Sequence, residues 1–421
     1  MKDIKKLVVI QTVVDGTRTG KEASELLHLS ERQIWRLVKK VKEGGMEGIK
    51  HGNSNKVPKN KIPLETVNEI IKLKKSYEYE EANFSHFRDL LQERENIKIS
   101  YPALYTIMKD NGFTSKNKHK ERIVHRRRKR KSCEGDLVQA DGTPFAWFED
   151  GIMYSIHGFI DDATGKVLGL YMTKNECLLG YLEALRYMLK NYGCPKVIYP
   201  DKYSVFFPTQ KQKVSIEDEL QGKQAPTTQF MDIVSTLGIH MYPASTSQAK
   251  GRIERLWKTL QDRLITEFRI NNIKTVDQAN AFFNQYIPKY NKQFAVKPEQ
   301  EESHFSKVPD YLNLDLLLSI KYQRTIDNAG SFTINSTRFQ ILNNKILPNT
   351  KVDIYINKKN GIIVIHNDVQ YKVICGSDVP SNYSTHTMNS LYRENNKKVV
   401  EFALSMLTYD SKINEPILTN S

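Results

Sequence analysis

Between residues 135 and about 292 the sequence alternates short apolar runs with longer segments of helical periodicity, and this alternation limits the possible folds most strongly. The apolar runs predict five strands, at 137–141, 153–160, 167–172, 196–200 and 239–242. The periodic segments predict four helices, at 176–192, 228–237, 247–269 and 275–290. Three successive strands followed by alternating helices and strands are typical of a mixed sheet covered by helices. The sequence therefore predicts an α/β core at 135–300 with a mixed five-stranded sheet.

Two capping-box patterns lie close together near the N-terminus. Thr19 precedes Glu22 and Ser30 precedes Gln33, so each pair can satisfy free amides at the start of a helix. Helices this close in sequence are typical of a helix-turn-helix, whose second helix enters the major groove of DNA. The outward side chains of the second helix are Arg32, Gln33, Arg36, Lys39 and Lys40. Residues 1–50 are therefore predicted to be a helix-turn-helix DNA-binding domain, with a helical bundle bearing a solvated basic face as the alternative.

A second helical segment follows a polar linker at 51–61. Helices are predicted at 64–75, 84–94 and 101–111, with Ser100 as an N-cap and Gly112 as a C-cap. Their spacing resembles that of the first segment. Residues 60–113 are therefore interpreted as a second helix-turn-helix-like DNA-binding domain, all-α like the first.

The most charged segment, at 114–134, is predicted to be a basic linker. Between 115 and 132 it holds ten basic residues and one acid, Glu121. The basic residues are Lys116, Lys118, Lys120, Arg122, Arg126, Arg127, Arg128, Lys129, Arg130 and Lys131. Such a run cannot bury itself, but it can displace counterions along a duplex. We expect a solvated linker that follows DNA, with contacts from the residues at 126–130.

Charge and cysteine usage limit the partners and the compartment. The net charge of +15 and a pI near 9.3 favour a polyanionic partner, either nucleic acid or an anionic membrane surface. No run approaches the ~18 apolar residues of a membrane span, and the N-terminus lacks the apolar core of a signal peptide. The four scattered cysteines predict neither a disulfide framework nor a zinc site. A cytoplasmic protein with a nucleic-acid partner is expected.

The C-terminal part has an all-β pattern. Six strands are predicted, at 323–326, 331–334, 337–341, 351–356, 361–366 and 369–373, with turns rich in Asn and Gly. Strands this short and closely spaced predict a small all-β barrel at 320–376. The polar remainder, 377–421, is predicted to be a tail with one helix around 399–407.

Three carboxylates stand where the predicted elements could bring them together. Asp141 lies in the first strand on the same face as Leu137 and Gln139, and Asp201 follows the fourth strand. If these strands are neighbours, the two aspartates lie side by side, and the long helix can place Glu254 over them. One face of that helix carries Lys250, Glu254, Trp257, Lys258 and Gln261. Convergent carboxylates are what a pair of divalent cations needs to displace a leaving group at phosphorus.

Other acidic residues and Trp257 have simpler interpretations. Asp161 and Asp162 precede Ala-Thr-Gly, a pattern typical of a turn. These two residues, together with Asp136 and Asp262, are expected at the surface or in turns. Trp257 could stack on a flipped base, but a tryptophan on a helix is more often part of the core, and that interpretation is preferred.

The motifs around the three carboxylates are similar to those of a known family. The segments at 138–143, 159–165, 199–206 and 247–255 resemble the integrase-type core of DDE transposases and retroviral integrases. With the Leu-Gln-Asp-Arg-Leu run at 260–264, they most resemble the bacterial insertion-sequence transposases of the ISNCY type, over residues 1 to about 371. The resemblance implies an RNase H-like core, followed by a β-barrel.

The same resemblance implies a set of site residues and a cofactor. Asp141, Asp201 and Glu254 would be the catalytic metal ligands, binding Mg²⁺ or Mn²⁺ as two ions. Lys202, Lys250 and Arg252 would lie near the DNA at the active site. Two features depart from the pattern. Helix-turn-helix units replace the zinc module of retroviral integrases, and a polar loop at 207–226 lengthens the gap between Asp201 and Glu254.

The function expected from these features is metal-dependent DNA strand cleavage and strand transfer by a transposase that binds terminal inverted repeats. A homo-oligomer on double-stranded DNA is expected, with no membrane and no small-molecule substrate. One alternative is a DNA-binding regulator with an inactive core. The other is a nuclease that acts on RNA–DNA hybrids, although paired helix-turn-helix units favour duplex DNA.

Overall fold

The computed structural model describes residues 2–45, 61–115, 128–208, 227–244, 250–376 and 398–403. The chain forms two compact units, Met1–Lys72 and Leu73–Ser421, and the division falls inside the predicted 60–113 domain. The predicted loop at 207–226 lies almost entirely outside the described residues, as do Arg126, Arg127 and most of the tail. The domain boundaries stay predictions.

The first unit begins with three helices, α1 (Lys2–Val14), α2 (Gly20–Leu27) and α3 (Glu31–Gly44). Both predicted capping boxes are present. The Thr19 amide donates to Glu22 Oε2 at 2.9 Å, and the Ser30 amide donates to Gln33 Oε1 at 3.2 Å. Gly45 caps the end of α3. The helices pack around a small apolar core made of Val9, Ile10, Val13, Ala23, Ile34, Val38 and Val41.

Three further helices precede the sheet: α4 (Leu64–Lys74), α5 (Phe84–Arg94) and α6 (Tyr101–Asp110). Their bounds agree with the prediction to within one residue. Ser100 caps α6 as predicted, since its Oγ accepts from the Ala103 amide at 3.4 Å. Helix α5 lies within the second unit, where its Asp89 accepts from Arg263 at 2.9 Å and from Gln293 at 2.7 Å.

The α/β core contains the mixed five-stranded sheet that the sequence predicted. Its elements are β1 (Val138–Phe145), β2 (Tyr154–Asp161), β3 (Val167–Thr173), α7 (Leu178–Asn191), β4 (Val197–Tyr199), α8 (Gln229–Thr236), β5 (His240–Met241), α9 (Gly251–Ile270) and α10 (Val276–Phe294). The strand order is β3-β2-β1-β4-β5. The first three strands are antiparallel neighbours, and β4 and β5 run parallel to β1. This order is the one expected of an RNase H-like core.

Helices cover both faces of this sheet. Val138 and Ala140 of β1 point into a core shared with α7 and α8. Ile156 of β2 points the other way, into a core built with α9 and α10 around Trp257 and Phe283. Strand β1 runs four residues beyond its predicted end because Gly142, Thr143 and Pro144, which interrupt the apolar pattern, still pair with β2. That extension carries Asp141 into the middle of the strand.

The C-terminal strands form one antiparallel sheet. They are β6 (Ile320–Thr325), β7 (Ser331–Ile334), β8 (Thr337–Ile341), β9 (Lys351–Asn357), β10 (Gly361–His366) and β11 (Val369–Cys375), in the order β6-β9-β10-β11-β8-β7. Within 320–376, which the structure describes in full, no backbone ladder joins β6 to β7. Arg324 Nε instead donates to the Thr333 carbonyl at 3.3 Å, so the sheet is nearly barrel-shaped rather than the closed barrel expected.

Two short helical segments flank this sheet. The helix α11 (Leu314–Leu317) was not predicted; Asn313 caps it by accepting from the Asp315 and Leu316 amides. Residues 398–403 are helical and bury Val399 and Ala403, inside the region where the sequence predicted a helix. Among the described helices, none combines the length and the apolar character that a bilayer span requires.

Candidate active site

The register of the sheet brings Asp141 and Asp201 side by side. Strand β1 pairs in parallel with β4, and Gln139 lies opposite Tyr199. Asp141 and Asp201 each stand two residues beyond that pair, so they lie at the same level, Asp141 in the middle of β1 and Asp201 just after β4. A hydrogen bond from the Tyr203 amide to Asp201 Oδ1 at 3.1 Å holds the second carboxylate at the turn after β4. The predicted adjacency of these strands is confirmed.

The ammonium group of Lys250 lies between the two carboxylates. Its Nζ donates to Asp141 Oδ1 at 2.5 Å and lies 3.9 Å from Asp201 Oδ2. Lys250 is the N-cap residue of α9, and only 6% of its surface is exposed. Two carboxylates that share a buried cation define a point where positive charge is stabilised.

The side chain of Trp257 holds the other oxygen of Asp141. Its indole Nε1 donates to Asp141 Oδ2 at 2.9 Å, and the ring is 6% exposed. The residue opposite Asp141 on β2 is Gly158, and a Cβ there would lie 2.6 Å from Trp257 Cη2. Glycine therefore leaves the room that the indole occupies. The preferred interpretation of Trp257 as a core residue is confirmed, and the ring also contacts the site.

The predicted face of α9 meets the predicted face of β1. Gln139, fully buried, accepts from the Ile253 amide at 3.1 Å through its Oε1. Further along, Gln261 Nε2 donates to Thr143 Oγ1 at 3.5 Å. Because residues two apart on a strand share a face, Gln139, Asp141 and Thr143 form one line of contacts under the helix.

Glu254 lies in the first turn of α9 and is exposed. It stands four residues after Lys250 and three before Trp257, the two residues that contact Asp141, so it shares their side of the helix. Among the described residues, the group of three ligand atoms within 4.8 Å of one another lies elsewhere, at Cys133, Asp136 and His304. The assignment of Glu254 as a metal ligand therefore stays a prediction.

Comparison with curated proteins identifies the family. The transposase for insertion sequence IS1202 of Streptococcus pneumoniae is 35% identical over 361 residues, covering 78% of this chain and 76% of that protein. The chain belongs to the insertion-sequence transposases. Protein y4bF of Sinorhizobium fredii strain NGR234, also named as a transposase, is 33% identical over 349 residues, covering 82% of this chain and 74% of that protein. No protein-family model matches this transposase.

Solved structures with similarity to this transposase are retroviral integrases. The catalytic core domain of HTLV-2 integrase, in complex with magnesium in a trimeric form, aligns at 16% identity and a TM-score of 0.28, covering 40% of this chain and 93% of that one. A simian T-cell lymphotropic virus intasome chain, solved with the PP2A regulatory subunit B56 gamma, aligns at 13% identity and a TM-score of 0.30, covering 73% and 100%.

A fourth carboxylate, Glu176, lies near the site and was not predicted. Tyr181 donates its hydroxyl to Glu176 Oε1. Burial raises the pKa of Glu176, and the charges of Asp141 and Asp201 raise it further. A Cβ on Gly142 would lie 2.8 Å from the Glu176 carboxyl carbon, so glycine lets this carboxylate approach β1.

A buried histidine holds the backbone beside Glu176. His157 Nδ1 bonds the Tyr171 carbonyl at 3.1 Å, and its Nε2 accepts from the Cys177 amide at 3.1 Å. Burial lowers the pKa of His157 to about 4, so the ring is neutral with its proton on Nδ1. The close packing of Gly180 over this ring, where a Cβ would lie 2.2 Å from Nδ1, fixes the start of α7.

Asp161 and Asp162 form the predicted turn but lie in the interior, not at the surface. Asp161 Oδ2 accepts from the Thr164 amide at 2.8 Å and from its hydroxyl at 2.6 Å. Asp162 is fully buried and accepts from Gln139 Nε2 at 3.0 Å. It also pairs with Arg128 and, at 3.4 Å, with Arg252. The two guanidinium groups and the amide satisfy a carboxylate that would otherwise be costly to bury.

The predicted DNA contacts have different surroundings. Arg32, Gln33, Arg36 and Lys39 are exposed on α3, and Lys202 is exposed after β4. Lys129 pairs with Glu299 at 3.1 Å, and Arg130 Nη1 donates to the Ala163 carbonyl at 3.1 Å. Arg126 and Arg127 lie outside the described residues. DNA binding by this set, including the buried Lys250 and the Asp162-paired Arg128 and Arg252, stays a prediction.

Proposed function

We propose that this transposase binds the terminal inverted repeats of its insertion sequence and catalyses metal-dependent DNA cleavage and strand transfer through Asp141, Asp201 and Glu254. The observation that carries the proposal is the position of the Lys250 ammonium, 2.5 Å from Asp141 and 3.9 Å from Asp201. A cation shared by adjacent aspartates supports the proposal, because it is the arrangement expected where carboxylate oxygens create a high negative potential.

The residues present fit a divalent cation. Mg²⁺ and Mn²⁺ favour carboxylate oxygens, and Asp141 and Asp201 already hold a positive group between them. Glu254, on the same side of α9 as Lys250, would complete the ligand set for two ions. Bound metal would activate the attacking oxygen and stabilise the leaving oxygen at phosphorus.

Neighbouring side chains orient the carboxylate ligands and neutralise their charge when no metal is bound. The Trp257 indole holds the Asp141 carboxylate through Oδ2. The other oxygen, Oδ1, faces Lys250 and the position proposed for the metal. Lys250 must move off Asp141 when metal is bound, and its ammonium is then free to pair with a DNA phosphate. Arg252 and Lys202 flank the site and supply further positive charge for the backbone.

Two displacements account for the reaction. In the first, water attacks the phosphorus at the element's end and the phosphorus–O3′ bond breaks, which leaves a free 3′-hydroxyl. In the second, that hydroxyl attacks a phosphorus of the target, loses its proton and releases the target's 3′-oxygen. The number of phosphodiester bonds is unchanged by the second step, so no external energy source is required.

The exposed face of α3 supports recognition of the element's ends. Arg32, Gln33, Arg36 and Lys39 lie together on one exposed side of a helix that follows α2 closely. Side chains of these types donate to base edges and phosphates in the major groove. Because two ends must be joined in one event, the transposase acts as a homo-oligomer on duplex DNA, within the bacterial nucleoid.

The test is strand cleavage and joining on a labelled duplex that carries the inverted repeat flanking the gene, with Mg²⁺. We expect joined product from the wild type and only background from Glu254→Gln, with unchanged DNA affinity, because the substitution removes a ligand charge at nearly constant size. Asp262→Asn, two turns further along α9, is the matched control and should remain active. Equal product from wild type and Glu254→Gln would contradict the role of Glu254. Binding without product from the wild type would favour the regulator with an inactive core.

A further inference from the structure

A cysteine, an aspartate and a histidine that are distant in sequence meet beside the core sheet. One ligand atom each from Cys133, Asp136 and His304 lie within 4.8 Å of one another. His304 Nδ1 lies 2.5 Å from Asp136 Oδ1, and the Cys133 thiol donates to Gln300 Oε1 at 3.0 Å. Thiolate, imidazole and carboxylate are the three side-chain donors that bind zinc in proteins.

The backbone that carries these side chains is tied together on both sides. The Gln300 amide donates to the Ser132 carbonyl at 3.0 Å, and the His304 amide donates to the Glu134 carbonyl at 2.8 Å. Cys133 is 2% exposed, and Asp136 and His304 are half-buried. The three donors are therefore presented from two adjacent, hydrogen-bonded segments, one before β1 and one after α10.

The charges around the cluster favour a cation. Burial raises the pKa of the Cys133 thiol, and the nearby carboxylates of Asp136, Glu302 and Glu299 raise it further, against the opposing charge of Lys196. A divalent ion would reverse this balance, because it stabilises the thiolate and neutralises the carboxylates. Lys196, which is 3.4 Å from Asp136 and half-exposed, can turn into solvent when the ion binds.

We propose that Cys133, Asp136 and His304 form a transition-metal site, with Zn²⁺ as the ion that best matches a sulfur, nitrogen and oxygen donor set. Binding releases the thiol proton to solvent, and the cysteine and aspartate charges balance the ion. The Gln300 side-chain oxygen or a water would provide the fourth position. The ion would cross-link the segment that precedes β1 to the segment that follows α10. The site is separate from the proposed active site and does not depend on it.

Cobalt substitution provides the direct test, because Co²⁺ bound to a thiolate gives a ligand-to-metal charge-transfer band that oxygen ligands do not give. The full chain, freed of metal under reducing conditions, is titrated with Co²⁺ in the presence of excess Mg²⁺. We expect the band to saturate at one equivalent and to disappear when Zn²⁺ is added. Cys133→Ser should abolish the band, and Asp136→Asn and His304→Gln should each weaken Co²⁺ binding at least tenfold. Cys375→Ser, in β11, is the matched control and should retain the band.

Two outcomes would overturn the proposal. The first is a wild-type protein that gives no charge-transfer band, which would leave the cluster as an ordinary set of hydrogen bonds. The second is a band that survives in Cys133→Ser. The wild-type titration requires no variant, so the proposal can be rejected even if a substituted chain does not fold.

Discussion

The indole Nε1 of Trp257 donates a hydrogen bond to Asp141 Oδ2 over 2.9 Å. The indole nitrogen can only donate, so the bond fixes which way the carboxylate turns. Asp141 Oδ1 is thereby left facing Lys250 and Asp201. Trp257, for which the sequence favoured a core position over stacking on a flipped base, thus also sets the orientation of a predicted catalytic ligand.

Replacing Trp257 by phenylalanine should lower strand-transfer activity about tenfold. Hydrogen bonds to charged groups contribute roughly 1.5–3 kcal/mol, and phenylalanine keeps most of the buried ring while losing the donor. The rate of product formation on the end duplex measures the effect. Trp147→Phe is the matched control, because Trp147 is also buried but donates to the Tyr154 carbonyl, away from the aspartates. A loss of activity of the same size in both variants would contradict the specific role of Trp257.

Two glycines of the sheet should respond differently to alanine. In Gly158→Ala the new Cβ would lie 2.6 Å from Trp257 Cη2, so the indole must shift. That shift weakens its hydrogen bond to Asp141. In Gly169→Ala the Cβ would lie 2.2 Å from the Ala184 carbonyl oxygen, which is backbone and cannot turn away.

We expect Gly158→Ala to lose activity severalfold with a smaller loss of stability, and Gly169→Ala to lose stability by about 2–4 kcal/mol, in the range of overpacked cores. Urea unfolding and strand-transfer assays separate the two effects. If Gly158→Ala were fully active, the argument that glycine makes room for the indole would be wrong.

Gln139 joins three parts of the site, and its removal should destabilise the core. Its amide nitrogen donates to Asp162 Oδ1 at 3.0 Å, and its oxygen accepts from the Ile253 amide at 3.1 Å. Gln139→Leu would remove one donor from the buried Asp162 carboxylate, which keeps its arginine partners, and would leave the Ile253 amide in the first turn of α9 without this acceptor. A lost hydrogen bond to a charged group costs roughly 1.5–3 kcal/mol and a buried amide left without an acceptor about 1–3 kcal/mol, which together predict a fall of roughly 2–5 kcal/mol in the free energy of unfolding.

Urea denaturation measures that fall, and Gln340→Leu, at a half-buried position in β8, serves as a control on the general effect of removing an amide. A Gln139→Leu variant as stable as the wild type would show that the two contacts are dispensable.

The pairing of Asp141 with Asp201 could be predicted because it depends on local patterns. The two short apolar runs and the acidic residue at the end of each one determine the register once the strands are neighbours. The contact face of α9 was predictable for the same reason, since Lys250, Trp257 and Gln261 recur at helical spacing. Each of the three now has a hydrogen bond to β1.

Features that depend on packing between distant segments could not be predicted. Glu176 carries no periodic signal, and its approach to β1 depends on the space that Gly142 leaves for it and for the Tyr181 hydroxyl. Asp162 was expected at the surface or in a turn; it lies in the predicted turn, but its burial could not be predicted, because it depends on two arginines from other segments. His304 and Asp136 are separated by 168 positions, so scattered cysteines and histidines gave no sign of a cluster.

Glu176 should influence how strongly the site binds its metal. Its carboxylate lies close enough for the charges of Asp141 and Asp201 to raise its pKa, so its own negative charge adds to the potential at the site. Glu176→Gln keeps an oxygen that can accept from Tyr181 but removes that charge. We expect the Mg²⁺ concentration for half-maximal strand transfer to rise severalfold, with Glu183→Gln in α7 as a matched control. An unchanged Mg²⁺ requirement would mean that Glu176 acts only in packing.

Acid should destabilise the core through His157. Its folded pKa is about 4 against an ordinary value of 6.5, so between these values the unfolded chain binds a proton that the folded protein excludes. A group with a lowered folded pKa contributes its stability above the unfolded value and loses it as pH falls, here between 6.5 and 4. The difference corresponds to about 3 kcal/mol.

His157→Gln tests this contribution, because glutamine can still donate to the Tyr171 carbonyl and accept from the Cys177 amide but does not titrate. The free energy of unfolding of wild type and variant is measured by urea denaturation at several pH values from 7.5 to 4, chosen to bracket the range above. We expect the free energy of unfolding of the wild type, relative to that of the variant, to fall by about 3 kcal/mol as the pH is lowered across that range. A difference that stays constant with pH would show that the buried ring is protonated in the folded protein or that its pKa is not displaced.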